Sequence, residues 1–275
     1  MVKNQEIPKV INYFWFGKKE LPKEILECIQ SWKEKCPNYK IRKWDESNFD
    51  IRSCDYISEA YDAHKWAFVS DYARFKILYE NGGIYLDTDV KLIKSLDTIV
   101  NRGAFFALEN DSYDSIGTGL GMGTPAHNTL YKQIVDYYEK IHFKKKDGSY
   151  DETPINLKIK KYFIEYGLKD KAGIQKIKNI TIYPKDYFCP LDYETGKLKI
   201  TSNTVAIHLY LGSWLSPTQK FLHNLQKKMA RFVGNRSAQK IVFILNKVYL
   251  GSTRIQREGI KKTILYYIKR KNGKI

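Results

Sequence analysis

The chain of 275 residues is ample for one large domain, and its 43% hydrophobic and 14% aromatic content excludes a disordered protein. No run approaches 18 uninterrupted apolar residues, which excludes a membrane-spanning helix. The net charge of +17 is uneven: residues 227–275 carry fourteen basic side chains against the single acid Glu258, so they hold +13 and the first 226 residues only +4.

The polar start, residues 1–6, leads directly into a strand and argues against a signal peptide. Cys28, Cys36, Cys54 and Cys189 form no CxxC pair and are expected as buried free thiols of a reducing cytoplasm, not as a zinc site. Residues 10–16, bounded by Pro8 and Gly17 and rich in aromatic and β-branched side chains, predict the first strand. Trp15 stands near its C-terminal end, where open α/β sheets bind nucleotides, although core packing is the default for a strand Trp. Residues 21–35, with Pro22 in the first turn, predict a helix, and residues 39–44 a second strand followed by an Asp45-Glu46-Ser47 turn. Strand, helix, strand in succession announces a parallel sheet with right-handed crossovers. Residues 55–66 lead, as helix or loop, into the central stretch.

That stretch is SDYARFKILYENGGIYLDTDV, residues 70–90. Asp71 and Arg74, three apart, share one face of a helix that Gly82 and Gly83 stop. From Ile84 the period becomes two: Ile84, Leu86, Thr88 and Val90 point one way, Tyr85, Asp87 and Asp89 the other. Two carboxylates on one side of a strand end repel each other and need a cation or open water. Residues two apart in an ideal strand lie about 6.6 Å apart, too far to share one ion, so a bend is expected at Asp87-Thr88-Asp89. Oxygen ligands suit Mg2+ or Mn2+. An isolated Asp-x-Asp is ordinarily a solvated turn, and an isolated Asp71–Arg74 pair an exposed ion pair of little worth. Their succession within one helix–strand unit favours a site.

Beyond it, residues 104–108 predict a strand ending at Glu109-Asn110-Asp111, a polar turn or a set of acidic and amide groups able to hold hydroxyls. Residues 116–123 are glycine-dense without the Lys-Ser/Thr of a phosphate loop and are expected as tightly packed strand and turn. Residues 129–141 and 156–166 predict helices, 144–153 a polar loop long enough to be mobile, and 180–183 and 204–209 strands, the last carrying His208. A lone His on an apolar strand is by itself an ordinary core residue. In the tail, Ile260, Ile264, Tyr267 and Ile268 fall on one helical face among lysines, the pattern of a basic amphipathic helix at an anionic membrane surface. A solvated basic tail packed on the domain is the plain alternative, and no nucleic-acid module is present.

Three separated motifs, IPKVINYFWFG at residues 7–17, the 70–90 run, and residues 206–214 with His208, Ser213 and Trp214, resemble glycosyltransferase family 32. This DXD-motif family includes yeast initiating mannosyltransferase-like proteins and bacterial capsule and lipopolysaccharide transferases, and is related to the glucosyltransferase domains of clostridial toxins. The resemblance implies a GT-A-type α/β fold, a mostly parallel sheet flanked by helices, over residues 1–220, with a basic helical extension at 221–275. It implies a retaining, metal-dependent transferase using a nucleoside-diphosphate sugar, UDP-sugar favoured. In that frame Asp89, Asp87 and His208 hold Mn2+ or Mg2+, while Asp71, Arg74 and Asp87 act on the sugar. Trp15 stacks on uracil, Phe14 and Tyr85 line the donor pocket, and Ser213 and Trp214 reach the diphosphate. Glu109, Asn110 and Asp111 are the acceptor candidates. The expected acceptor is a lipid-linked or oligosaccharide glycan of surface polysaccharide, made at the cytoplasmic face of the membrane, with no nucleic-acid partner. A toxin-like transferase acting on a protein, and a non-catalytic basic membrane- or RNA-binding protein, are the alternatives.

Overall fold

The computed structural model describes residues 6–112, 115–212, 217–234, 237–238 and 240–245. The chain divides into two compact units, Met1–Leu191 with Leu198–Leu211, and Asp192–Lys197 with Gly212–Ile275. The first unit opens with strand β1 (Val10–Phe14), helix α1 (Lys23–Lys35), strand β2 (Lys40–Trp44), helix α2 (Asp55–Asp62) and helix α3 (Trp66–Asn81). Strands β3 (Gly83–Tyr85) and β4 (Val90–Leu92), helix α4 (Asp97–Val100) and strands β5 (Ala104–Ala107) and β6 (Met122–Thr124) follow. It continues with helices α5 (Thr129–Tyr138) and α6 (Ile155–Glu165) and strands β7 (Gln175–Ile177), β8 (Ile180–Tyr183) and β9 (Ala206–His208). The second unit contains helix α7 (Pro217–Val233).

Seven strands form one sheet in the order β2-β1-β3-β6-β5-β8-β7. β1, β2, β3, β5 and β8 run in one direction and β6 and β7 in the other, so the sheet is mostly parallel and the α/β class expected from the sequence holds. A core lies on each face. α2, α3, α5 and α6 pack on one side with Phe14, Tyr85 and Phe106; α1 and α4 pack on the other with Ile11, Tyr13, Ile84 and Phe105. The period-two pattern around Tyr85 is therefore a division between two cores, and both sides of β3 are buried.

Three features position the site. α3 is buried nearly all round, by Val69, Tyr72, Phe75 and Leu78 but also by Asp71 and Arg74. It stops where Gly82 (φ +66°) and Gly83 (φ +104°) take left-handed backbone, and a Cβ at Gly82 would lie 2.7 Å from the Ala126 amide nitrogen. β4 leaves the main sheet and pairs with β9 in a separate two-stranded sheet, with Val90 opposite His208. α1 anchors that small sheet: the Trp32 indole donates to the Val90 carbonyl at 2.7 Å, and the Leu92 amide donates to Ser31 Oγ at 2.9 Å.

Some expectations change. The glycine-dense segment forms the expected packed turn and strand, but its strand β6 is inserted antiparallel between β3 and β5, where strand–helix alternation predicts parallel neighbours. Residues 144–153, expected as a polar loop long enough to be mobile, form a stapled hairpin. Lys144 bridges Tyr150, the Tyr150 ring stacks on Phe143 at 5.2 Å, and Asp151 binds the buried Lys158 ammonium at 2.8 Å. Of the cysteines, Cys28, Cys36 and Cys189 are buried and Cys54 is half-buried, all as free thiols. No helix among the described residues is long and apolar enough to cross a membrane. The tail pattern at Ile260–Ile268 and the Ser213-Trp214 pair lie outside the described residues.

Candidate active site at the Asp87–Asp89 turn

The expected bend is present. The Val90 amide donates back to the Asp87 carbonyl at 3.1 Å, closing a turn between β3 and β4 that brings Asp87 and Asp89 together. On one flank the Asp87 amide donates to the Gly119 carbonyl at 2.8 Å. A Cβ at Gly119 would sit 1.8 Å from Asp87 Oδ2, so the carboxylate occupies the space a side chain would fill. On the other flank the β4–β9 register delivers His208, whose Nε2 lies 3.1 Å from Asp89 Oδ1. Two amides complete the grip on Asp89: Leu209 N–H donates to its carbonyl and Leu211 N–H to its Oδ2, each at 2.9 Å.

Ligand atoms of Asp87, Asp89 and His208 all lie within 4.8 Å of one another, the one such cluster of three among the described residues. His208 Nδ1 is buried with no hydrogen-bond partner. Two carboxylates and an imidazole at this spacing fit one divalent cation. Burial would raise the Asp89 pKa, but His208 and the Leu211 amide outweigh it and hold the carboxyl below its usual range. For His208 burial works against charge, and the Asp89 carboxylate reverses it, raising the imidazole.

The opposite wall is α3. Arg74, its side chain 6% exposed, points Nη2 at Asp71 Oδ1 (3.3 Å) and Asp87 Oδ1 (3.5 Å). Its fork is fixed by three further bonds: Nε to the Ser70 carbonyl at 2.9 Å, Nη2 to Ser70 Oγ at 3.1 Å, and Nη1 to Thr118 Oγ1 at 3.1 Å. The guanidinium lies 4.6 Å from the centre of the Tyr85 ring, and the Tyr85 hydroxyl donates to Asp87 Oδ1 at 2.6 Å. Burial pushes the Asp71 carboxyl up to about 6 despite the opposing Arg74 charge. Asp71, Arg74, Tyr85, Asp87, Asp89 and His208 thus surround one turn.

The remaining sequence candidates lie apart or on the margin. Trp15 is half-buried beside a cavity of about 260 Å³ at the ends of β1 and β2, lined also by Lys18, Lys19, Lys43 and Glu46. Its indole N–H donates to the Lys19 carbonyl at 2.6 Å. Phe14 is buried, stacked on Phe16 at 5.4 Å and 5.6 Å from Tyr85, so it backs Tyr85 from within the core. Glu109 is exposed and accepts from the Tyr210 hydroxyl at 3.3 Å, whereas Asn110 accepts from Ser112 within its own turn and Asp111 pairs with Lys185. Sequence reasoning missed Thr118, Ser70 and Tyr210. The glycine density at 117–121 was the one available signal for the first, because it marks where Arg74 and Asp87 meet a close backbone.

Residues 22–106 match the family model described as "Glycosyltransferase sugar-binding region containing DXD motif", which bears out the family resemblance of the motifs for this region. The chain is 28% identical over 158 residues to Inositol phosphoceramide mannosyltransferase 3 of Schizosaccharomyces pombe, covering 56% of this chain and 44% of that protein. It is 32% identical over 114 residues to Uncharacterized glycosyltransferase L373 of Acanthamoeba polyphaga mimivirus, covering 36% of this chain and 42% of that one. The chain thus spans less than half the length of these relatives. A solved glycosyltransferase involved in glycosylation of the major capsid of PBCV-1 superimposes with a TM-score of 0.43 at 12% identity, over 80% of this chain and 99% of that one.

Proposed function

We propose, from the DXD-type sugar-binding region at residues 22–106, that the chain is a retaining, divalent-metal-dependent glycosyltransferase acting on a nucleoside-diphosphate sugar, UDP-sugar favoured. The observation that carries this reading is the convergence of Asp87, Asp89 and His208 opposite the buried Asp71–Arg74 pair. Asp89, Asp87 and His208 would hold Mn2+ or Mg2+, which when bound supplies Lewis-acid compensation for charge on a departing diphosphate.

The chain's own groups do the rest. Arg74, with its fork fixed, presents N–H donors to sugar hydroxyls, and Asp71 accepts from them. Tyr85 holds the Asp87 carboxylate in one orientation through its hydroxyl. The half-buried Trp15 beside its cavity supports stacking on a nucleotide base, and the exposed Glu109 supports an acceptor on that side. A carbohydrate acceptor of surface polysaccharide, carried on a lipid at the inner membrane face, suits the +13 charge of residues 227–275, which would bind anionic headgroups. A mannosyl donor is the second reading, favoured by the name of the Schizosaccharomyces pombe relative.

Hydrolysis of a panel of UDP- and GDP-sugars, mannose included, tests the proposal. Release of one nucleotide with Mn2+ that stops with chelator is the expected result. No turnover and no metal-dependent nucleotide binding across the panel would overturn it.

A further inference from the structure

Tyr210 belongs to none of the roles above, yet its backbone is unusual. It lies in the left-handed region at φ +52°, a conformation that a bulky aromatic residue adopts only when its surroundings impose it. The amides on either side explain why. In an extended strand, amides two residues apart are separated by about 6.6 Å. Here Leu209 N–H and Leu211 N–H both reach Asp89, one its carbonyl and the other its Oδ2, because the chain curls at Tyr210.

The side chain holds that curl in place from two sides. Its ring packs edge-on against the His208 imidazole, with centroids 4.2 Å apart and planes at 85°. Its hydroxyl lies 2.9 Å from Cys189 Sγ and donates to Glu109 Oε1 at 3.3 Å. The Cys189 end is itself fixed: the Cys189 amide donates to the Lys185 carbonyl at 2.7 Å, and the His208 amide to the Phe188 carbonyl at 3.2 Å. One residue therefore constrains both Asp89, through the flanking amides, and His208, through its ring.

We propose that Tyr210 is a positioning residue that sets Asp89 and His208 for the cation, through its left-handed backbone and its contact with the imidazole. The inference rests on the reading that this turn holds a divalent ion. Groups that orient metal ligands commonly change metal affinity by about 10- to 100-fold when removed.

The test is Mn2+ affinity, measured on the full chain with Mn2+ alone by electron paramagnetic resonance, for wild type, Tyr210→Phe and Tyr210→Gly. Tyr210→Phe keeps the ring and loses the hydroxyl anchors; a weakening of about threefold or more is expected. Tyr210→Gly accepts the left-handed backbone without strain but loses the ring and its tether, and should weaken Mn2+ binding by about tenfold. Thermal melts of both variants separate this loss from unfolding, and Tyr210→Phe decides if the glycine variant melts early. Folded variants that bind Mn2+ within twofold of wild type would overturn the role of Tyr210 and leave the cation reading standing. A wild-type chain that binds no Mn2+ would overturn both.

Discussion

Asp71 is buried beside the turn and Asp89 half-buried within it, and their surroundings push the two carboxylates in opposite directions. Asp71 stands on a helix packed on all sides, its ion-pair partner Arg74 is shared with Asp87, and burial lifts its carboxyl to about 6. Asp89 is less enclosed and receives an imidazole and the Leu211 amide, and these lower it. Asp89 is thus built to stay anionic, as a cation ligand must. Asp71 is held in a costly state that hydrogen-bonding hydroxyls of a bound sugar would relieve. On the proposed function, these two environments suit two different tasks.

The largest expected effect tests the Asp89 side. Asp89→Ala should lower donor-sugar hydrolysis by about a thousandfold while the chain remains folded, checked by initial rates and a thermal melt. Arg74→Met strikes the charge that the two sides share. It leaves Asp71 and Asp87 without their counter-ion, so a rate loss of about a hundredfold should come with about 3–5 kcal/mol of destabilisation in denaturant titration. Asp71→Asn sharpens the comparison. Activity should fall by about 10- to 100-fold through loss of a charged acceptor. Its stability should change with pH in a fixed direction. Because the folded pKa of Asp71 is raised from 3.8 to about 6, its contribution is complete below about pH 4 and is lost as pH rises through 6. Asparagine does not titrate, so between pH 4 and 7 the variant should gain on wild type by up to about 3 kcal/mol, read from urea midpoints at each pH. The smallest effect belongs to the margin: Trp15→Ala should raise the KM for the nucleotide donor by about tenfold with little change in kcat.

Much of this site was legible in residues 70–90, because a helix stop and a strand leave strong local signatures: Gly82-Gly83 and the alternation through Tyr85. The bend between Asp87 and Asp89 followed from strand spacing together with the need of two carboxylates to meet one ion. What could not be read was which distant segments meet the turn. His208, placed at this turn only by the family resemblance, enters because β4 leaves the main sheet to pair with β9 at Val90, a non-local choice that no local pattern announces. Thr118 and Gly119 reach Arg74 and Asp87 only because β6 is inserted antiparallel between β3 and β5, where the strand–helix alternation had suggested parallel neighbours. The all-round burial of α3 was likewise hidden, since Asp71 and Arg74 three residues apart look like an exposed pair until the Tyr85 ring and Thr118 close over them.

The most direct measurement is the Mn2+ dependence of donor hydrolysis for His208→Ala beside Asp71→Asn. If the two sides of the turn divide the work between cation and sugar, His208→Ala should raise the half-saturating Mn2+ concentration by about tenfold, while Asp71→Asn lowers the maximal rate at unchanged Mn2+ dependence. An Asp71→Asn variant whose Mn2+ requirement shifts as far as that of His208→Ala would contradict the division.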